Sequence, residues 1–334
     1  MKAVRLGDDR RLRVEDVDEP KVEGPWDVIV KIGGAGLCRT DLHLLDSGFP
    51  IPYTLGHENA GWVTEIGSAV TNVAVGDAVI AHPIASCGLC LECHRGEIAR
   101  CASQQFVGIS ADGGMAEAVK TNARALVKLP SGMEPRDVAA HSDAGLSAYH
   151  AVKKAIHHLV PGTTAVVIGA GGLGHIGLQC LKALTTTRVI VVDPLEPALE
   201  LARKLGADEV VVADGRQVDK VKELTGWIGA DAVFDFVGEH GAQQDAGAML
   251  GRGGLHFVVG YGGTMEMPTI DFVMQEKSVI GNQVGTYIDL VELMELAASG
   301  QVSLHNKVYP LEAVVDAVED LRAGRLQGRG VLVP

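Results

Sequence analysis

The sequence predicts an α/β protein of two domains, a β-rich first one and a doubly wound second one built on a six-stranded parallel sheet. Three observations predict it. Short β-branched runs separated by turns fill the chain up to about residue 85. Strands alternate with helices from about residue 165 onward, the order that parallel βαβ units impose. The length of 334 residues exceeds what one hydrophobic core ordinarily organises. The expected division is residues 1–145 for the first domain, with a cysteine lobe at about 86–102, then 146–285 for the second, with 286–334 returning to the first.

With 47% apolar and 21% charged residues, the chain has the balance of a globular protein rather than a disordered one. Its net charge of −13 argues against a nucleic-acid or anionic-membrane surface, which needs a basic stripe. Met1-Lys2-Ala3-Val4-Arg5 runs straight into the charged stretch Asp8–Arg13 with no apolar leader, so a cytoplasmic protein is expected. The most apolar stretch, residues 165–184, is interrupted by five glycines, His175 and Lys182, and does not read as a membrane span. Six cysteines in a reducing compartment read as metal ligands or core thiols before disulfides.

In chain order, strands are expected at Leu12–Val14, Val28–Ile32, Gly61–Ile66 and Ala78–Ile80, forming a compact antiparallel domain. Within it, the stretch Gly36–Glu58 gathers Cys38, Thr40, Asp41, His43 and Gly56-His57-Glu58. Thiolate and imidazole are donors that zinc takes readily, and an open catalytic site needs three protein ligands and a free position. Cys38 and His57 therefore read either as part of such a site, its third ligand coming from elsewhere, or as a core thiol and a structural histidine. Cys87, Cys90, Cys93 and Cys101 follow, four thiols within 15 residues. Four thiolates at about 2.3 Å close a tetrahedral shell around Zn²⁺ and leave no room for substrate, which makes this a structural site. His94 is surplus to it.

Apolar residues at Val138, Leu146, Tyr149, Val152 and Ile156 predict one helix across about 135–159, stopped by Pro161-Gly162. Strand Ala165–Ile168 then feeds Gly169-Ala170-Gly171-Gly172-Leu173-Gly174 into a helix reaching about Leu184, and a second strand ends in Asp193. Strand, glycines, helix, strand and terminal acid in that order mark a dinucleotide site. The glycines let the backbone approach a pyrophosphate at a helix N-terminus, while Asp193 can accept hydrogen bonds from the adenosine ribose. A carboxylate there repels a 2′-phosphate and favours NAD over NADP. The alternation continues through strands Glu209–Val212, Ala232–Val237, Leu255–Gly260 and Ser278–Gly281, and Cys180 falls inside the first helix as a packing residue. The tail, with helices near 288–299 and 311–321 and a strand at 330–333, is expected to carry no chemistry.

Five stretches taken together resemble the zinc-dependent alcohol dehydrogenases of the medium-chain dehydrogenase/reductase superfamily over nearly the whole chain. They are Cys38-Arg39-Thr40-Asp41-Leu42-His43, Gly56-His57-Glu58, the four spaced cysteines, Gly169–Gly174 and Gly281-Asn282-Gln283-Val284-Gly285-Thr286. The resemblance implies a GroES-like catalytic domain, a Rossmann domain, NAD, and two Zn²⁺ per chain, one catalytic and one structural. It implies Cys38 and His57 as ligands of the catalytic zinc, Asp41 as the carboxylate orienting His57, and Glu58 as an acid behind the metal that assists ligand exchange. Thr40 matches the hydroxyl that takes the alcohol proton, His43 the histidine that delivers it to the surface, and Arg39 a pyrophosphate contact. Ser147 and Leu173 would pack around the nicotinamide, with Val259, Asn282 and Val284 lining its carboxamide.

The third ligand is often a cysteine in relatives, and this chain has none there. The family register puts Asp143 at that position, with His141 as its rival, and a carboxylate makes the site harder and less tightly bound than a thiolate. Tyr287 stands where many relatives carry an arginine, and Phe49, Ile84 and Tyr261 are the guess for an apolar substrate pocket. The implied activity is NAD-dependent interconversion of small primary or secondary alcohols with aldehydes or ketones by a homodimer or homotetramer. A polyol or sugar dehydrogenase, and a non-catalytic zinc- or nucleotide-binding relative, are the alternatives.

Overall fold

The eleven-residue strand Asp27–Leu37 is the axis of the first unit, because different strands pair with its two halves. One edge pairs antiparallel with Glu58–Ile66. The other pairs with Ala118–Asn122 along Asp27–Lys31 and with Arg329–Val333 along Ala35–Leu37. The sheet extends through Ala78–Ala81 to Leu126–Lys128 on one side and to Asn306–Pro310 on the other. Val28, Val30 and Ile32 enter a core shared with Val63, Val79, Leu126 and Leu332, each such burial contributing roughly 1.5–3 kcal/mol.

The computed structural model describes all 334 residues, divided into two units: residues 1–146, 285–300 and 304–334 form the first, and 147–284 with 301–303 the second. The sheet of the first unit is mixed rather than antiparallel as expected. Asn306–Pro310 and Arg329–Val333 run parallel, joined through the helix Val314–Arg322, since parallel neighbours need a crossover. The strand expected at Leu12–Val14 extends over Leu12–Asp16 and pairs with Lys2–Leu6 in a two-stranded ribbon separate from the main sheet.

The helix expected across 135–159 is broken at its most consequential point. Pro135–Val138 is one α-turn, Ala139–Ser142 a 3-10 turn, and Ala144–Ala155 the main helix, with Asp143 between them at φ −126° and ψ −58°. Ala139, Ala140 and Ala144 are fully buried on both sides of the break, so apolar spacing passes through it without a signal. Asp143 and His141 are therefore not related by regular helical geometry.

In the second unit six parallel strands lie in the spatial order Glu209–Val212, Arg188–Asp193, Thr164–Ile168, Ala230–Asp235, Leu250–Val258, Ser278–Gly281. In chain order this is 3-2-1-4-5-6, the doubly wound arrangement, whose switch point lies beside the first strand. The fourth strand stops at Asp235 instead of Val237, because the Asp235 carboxylate takes the amide N–H groups of Val237 and Gly238, both at 2.9 Å, and turns the chain. Helix Thr269–Gln275, absent from the expected elements, buries none of its residues and so carries no amphipathic signature. No helix of the chain is long and apolar enough to cross a membrane.

Candidate active site

Cys38 directly follows the long central strand and caps the helix Arg39–Asp46, so strand and helix together fix its position. The Asp41 carboxylate accepts the Cys38 backbone N–H at 2.8 Å, while its other oxygen faces His57 Nδ1 at 3.4 Å. The far nitrogen, His57 Nε2, faces Asp143 Oδ2 at 3.5 Å. His57 and Glu58 sit at the start of the neighbouring strand, where the His57 ring also meets the edge of Phe106 with centroids 6.0 Å apart. The donor atoms of Cys38, His57, Glu58 and Asp143 all lie within 4.8 Å of one another, and His141 is not among them.

This donor set fits a cation. His57 Nε2 and Glu58 Oε2 are buried without a hydrogen-bond partner, which is costly unless a further group engages them. Two zinc ligands at about 2.1 Å in tetrahedral geometry lie about 3.4 Å apart, close to the 3.5 Å between His57 and Asp143. Burial opposes a charge on His57, yet Asp41 and then Asp143 outweigh it and push its pKa well up. The pocket thus draws positive charge to this nitrogen. Burial also works against the Asp143 carboxylate, but His57 holds it below the ordinary carboxylate range.

Beneath the cluster, burial pushes the Glu58 carboxyl up to about 7 despite a direct ion pair with Arg329, which is itself 3% exposed. Glu58 Oε1 also accepts the Ala144 backbone N–H at 3.1 Å, just past the break at Asp143. Arg329 belongs to the tail strand, so the tail, expected to carry no chemistry, reaches the donor cluster. The signal was a lone arginine at the head of an apolar strand, and only the sheet pairing shows what it faces. Ser142 completes the surroundings by donating to the carbonyls of His57 and Ala81. Thr40 and His43 lie three residues apart in the helix after Cys38, hence on one face. Arg39, in its first turn, is exposed.

The second donor cluster is local. Sulfur separations are 3.9 Å for Cys87–Cys93, 3.5 Å for Cys90–Cys93 and 3.6 Å for Cys101–Cys87. Four sulfurs at 2.3 Å from one ion have edges of about 3.8 Å, so the four thiols fit a tetrahedral zinc. All of them are free cysteines. Backbone N–H groups of Leu89 and Cys90 bring the Cys87 thiol down to about 6, which favours the ligating thiolate.

In the second unit the glycine turn is built for close approach. A Cβ at Gly174 would strike the Gly169 carbonyl, whereas one at Gly171 would meet nothing within 4 Å. No protein atom therefore demands glycine at 171, and the open space fits a bound pyrophosphate. Gly172 and Leu173 complete the turn into the helix Gly174–Leu184. Asp193 Oδ2 accepts the Ala170 N–H and Oδ1 the Leu195 N–H, each at 2.8 Å, which fastens the turn to the end of the second strand. Burial pushes the Asp193 carboxyl up, against these two donors.

Residues 24–131 match the alcohol dehydrogenase GroES-like domain, and residues 172–299 match the zinc-binding dehydrogenase domain. An NAD-dependent alcohol dehydrogenase of Sulfurisphaera tokodaii is 35% identical, the match covering 100% of this chain and 99% of that protein. The chain belongs to the zinc-type alcohol dehydrogenase family of medium-chain dehydrogenases/reductases. The crystal structure of the alcohol dehydrogenase from the hyperthermophilic archaeon Aeropyrum pernix aligns with a TM-score of 0.97 at 43% identity over 100% of both chains. A D-arabinose 1-dehydrogenase (NADP(+)) of Saccharolobus solfataricus is 32% identical over 97% of this chain and 94% of that protein.

Within this family the chain departs from several expectations. Tyr287 donates its hydroxyl to the Leu126 carbonyl at 3.1 Å and so ties a helix to the sheet of the first unit. Asn282 commits its amide to the Val258 and Ile280 carbonyls and accepts from Lys154 at 3.1 Å, which leaves it little capacity for a ligand. Ser147 is buried, Val259 is half-buried with its N–H given to the Asp235 carbonyl at 3.0 Å, and Val284 is buried at a positive φ of 51°. Phe49 and Tyr261 are exposed, but Ile84 is 1% exposed and offers no surface to a pocket.

Proposed function

We propose that the chain is a zinc- and NAD-dependent alcohol dehydrogenase interconverting small primary or secondary alcohols with aldehydes or ketones. The observation that carries this reading is the largely enclosed Cys38–His57–Asp143 group, backed by Asp41, Glu58 and Arg329, with Thr40 two residues along the chain from Cys38. A zinc ion held by Cys38, His57 and Asp143 supplies the Lewis acidity that lowers the pKa of an alcohol hydroxyl, and NAD supplies the hydride acceptor. Thr40 takes the hydroxyl proton, and His43, one helical turn on, delivers it to solvent. Asp41 fixes which His57 nitrogen faces the metal. Glu58 waits behind the ligands with its free oxygen, available for ligand exchange and restrained by Arg329.

In the second unit, Gly169–Gly174 receive the pyrophosphate and Asp193 the adenosine ribose, with Ser147, Leu173, Val259 and Val284 as further contacts; Arg39 of the first unit is a pyrophosphate contact. Cys87, Cys90, Cys93 and Cys101 hold a second, structural zinc, and the enzyme assembles as a homodimer or homotetramer. A sugar or polyol dehydrogenase is the second reading, favoured by the similarity to an arabinose dehydrogenase. A panel of primary, secondary and aromatic alcohols, polyols and aldoses, offered with NAD or NADP and followed by reduced-cofactor absorbance, decides between them. Turnover of simple alcohols with NAD is the expected result. Turnover confined to aldoses, or to NADP, would overturn the first reading.

A further inference from the structure

His82 has no part in the chemistry above, yet it is fully buried and both its ring nitrogens are engaged. Nδ1 lies 3.1 Å from the backbone nitrogen of Ile84. An amide N–H can only donate, so Nδ1 accepts and carries no proton. Nε2 therefore bears the proton and donates to the Gly285 carbonyl at 3.1 Å, across 203 positions of sequence. These two partners admit only one tautomer of the neutral ring. Burial acts in the same direction, bringing the His82 pKa down to about 4.

The acceptor matters because Gly285 directly follows Val284. A β-branched side chain at φ +51° is a rare conformation, and such a residue persists only where its surroundings over-determine it. Two anchors flank it. Upstream, the Asn282 N–H donates to the Val258 carbonyl at 3.0 Å. Downstream, Thr286 and Asp289 close a reciprocal capping box, Thr286 N–H to Asp289 Oδ2 at 2.9 Å and Asp289 N–H to Thr286 Oγ1 at 3.1 Å. His82 holds the peptide between these anchors. It is itself set by its neighbour Ala81, whose carbonyl accepts the hydroxyl of Ser142, the residue before Asp143. A chain of short links thus runs from the donor cluster to Gly285.

We propose that His82 is a positioning residue for the dinucleotide: by holding the Gly285 carbonyl it keeps Val284 in the left-handed conformation that presents this segment to the nicotinamide carboxamide. The assignment rests on the NAD-dependent reading.

Three variants separate the two hydrogen bonds. The oxygen of His82→Asn can take over the Nδ1 bond to Ile84, but its amide is too short to reach Gly285. His82→Gln places a donor where Nε2 was, and His82→Leu removes both bonds. NADH affinity by fluorescence, KM and kcat for NAD, and zinc content are measured on each. His82→Asn and His82→Leu are expected to weaken NADH binding and raise the KM for NAD about 5- to 20-fold, the effect of one lost buried hydrogen bond, with little change in kcat or zinc. His82→Gln restores both to within about threefold of wild type.

Wild-type NADH affinity in His82→Asn, or a His82→Gln no better than His82→Asn, overturns the assignment. Loss of zinc or a changed alcohol KM in place of the NAD effect does so too. Failure of the wild-type enzyme to bind NADH would sink the dinucleotide reading itself, a separate outcome.

Discussion

The two donor clusters of the first unit differ most in how they are built. Cys87, Cys90, Cys93 and Cys101 come from one short stretch and are all thiols, the first three partly open to solvent and Cys101 buried. Cys38, His57, Glu58 and Asp143 come from a strand end, a neighbouring strand and a break between helices, and they are largely enclosed. Two of the enclosed donors have supporting partners from outside the cluster: Asp41 behind His57, and both Arg329 and the Ala144 N–H on Glu58. A closed thiolate shell needs only its own loop. An open site must be held from outside, because one position has to stay available to substrate.

This contrast is broken most directly by removing one ligand from each cluster. Cys38→Ala and His57→Ala should each lower kcat on the order of 10³-fold or more while the protein stays folded. Cys90→Ala should mainly lower the melting temperature. Steady-state kinetics and metal content check this, and equal loss of activity and of both metals in all three variants would erase the distinction. Next in size is Thr40→Val, expected to reduce kcat roughly 10²- to 10⁴-fold with NADH affinity preserved, as measured by fluorescence titration. Unchanged turnover would remove Thr40 from the proton path.

The support beneath the buried cluster is tested by Arg329→Met, which leaves the Glu58 carboxylate without its counter-ion and should cost about 3–5 kcal/mol in urea unfolding. Adding Glu58→Gln should return part of that loss, because an amide is neutral in the buried site without having to take up a proton. A smaller effect comes from His82. Its folded pKa of about 4 lies below the unfolded value near 6.5, so the unfolded chain binds more protons between those values. Stability from this group is complete above about pH 6.5 and falls as pH drops toward 4, by up to about 3 kcal/mol. His82→Gln should therefore flatten the acid limb of the stability curve. An identical acid limb in the variant would exclude His82 as its source.

The smallest expected difference is kinetic. In an EDTA time course the ion of the Cys38–His57–Asp143 group, with its hard carboxylate donor, should leave before the ion held by four thiolates. Asp143→Cys should slow that loss severalfold. Simultaneous release of both ions would show that the donor set does not control retention.

Legibility in the sequence follows the same contrast. The four cysteines lie close enough that spacing alone specifies a shell, and the glycine turn with Asp193 sits in one βαβ unit, where local order is sufficient. Cys38 and His57 were visible as donor types, but their partners were not. Asp143 came from a resemblance, and the irregular backbone that turns it toward His57 is hidden behind buried alanines. Arg329 gave only a lone charge at the head of an apolar strand, and His82 gave no signal, looking like a lone histidine before a proline.

By itself, then, the sequence determined the class of fold, the parallel order of the second unit, the tetrathiolate loop and the dinucleotide turn. All of these depend on periodicity or on ligands close along the chain. The tertiary structure decided which distant groups meet: Arg329 under Glu58 and Asp143 against His57 at the buried site, and His82 on Gly285. The physical reason is that a buried charge or an unpaired ring nitrogen is tolerable only with a partner in place, and sheet pairing and chain return bring those partners from far along the chain.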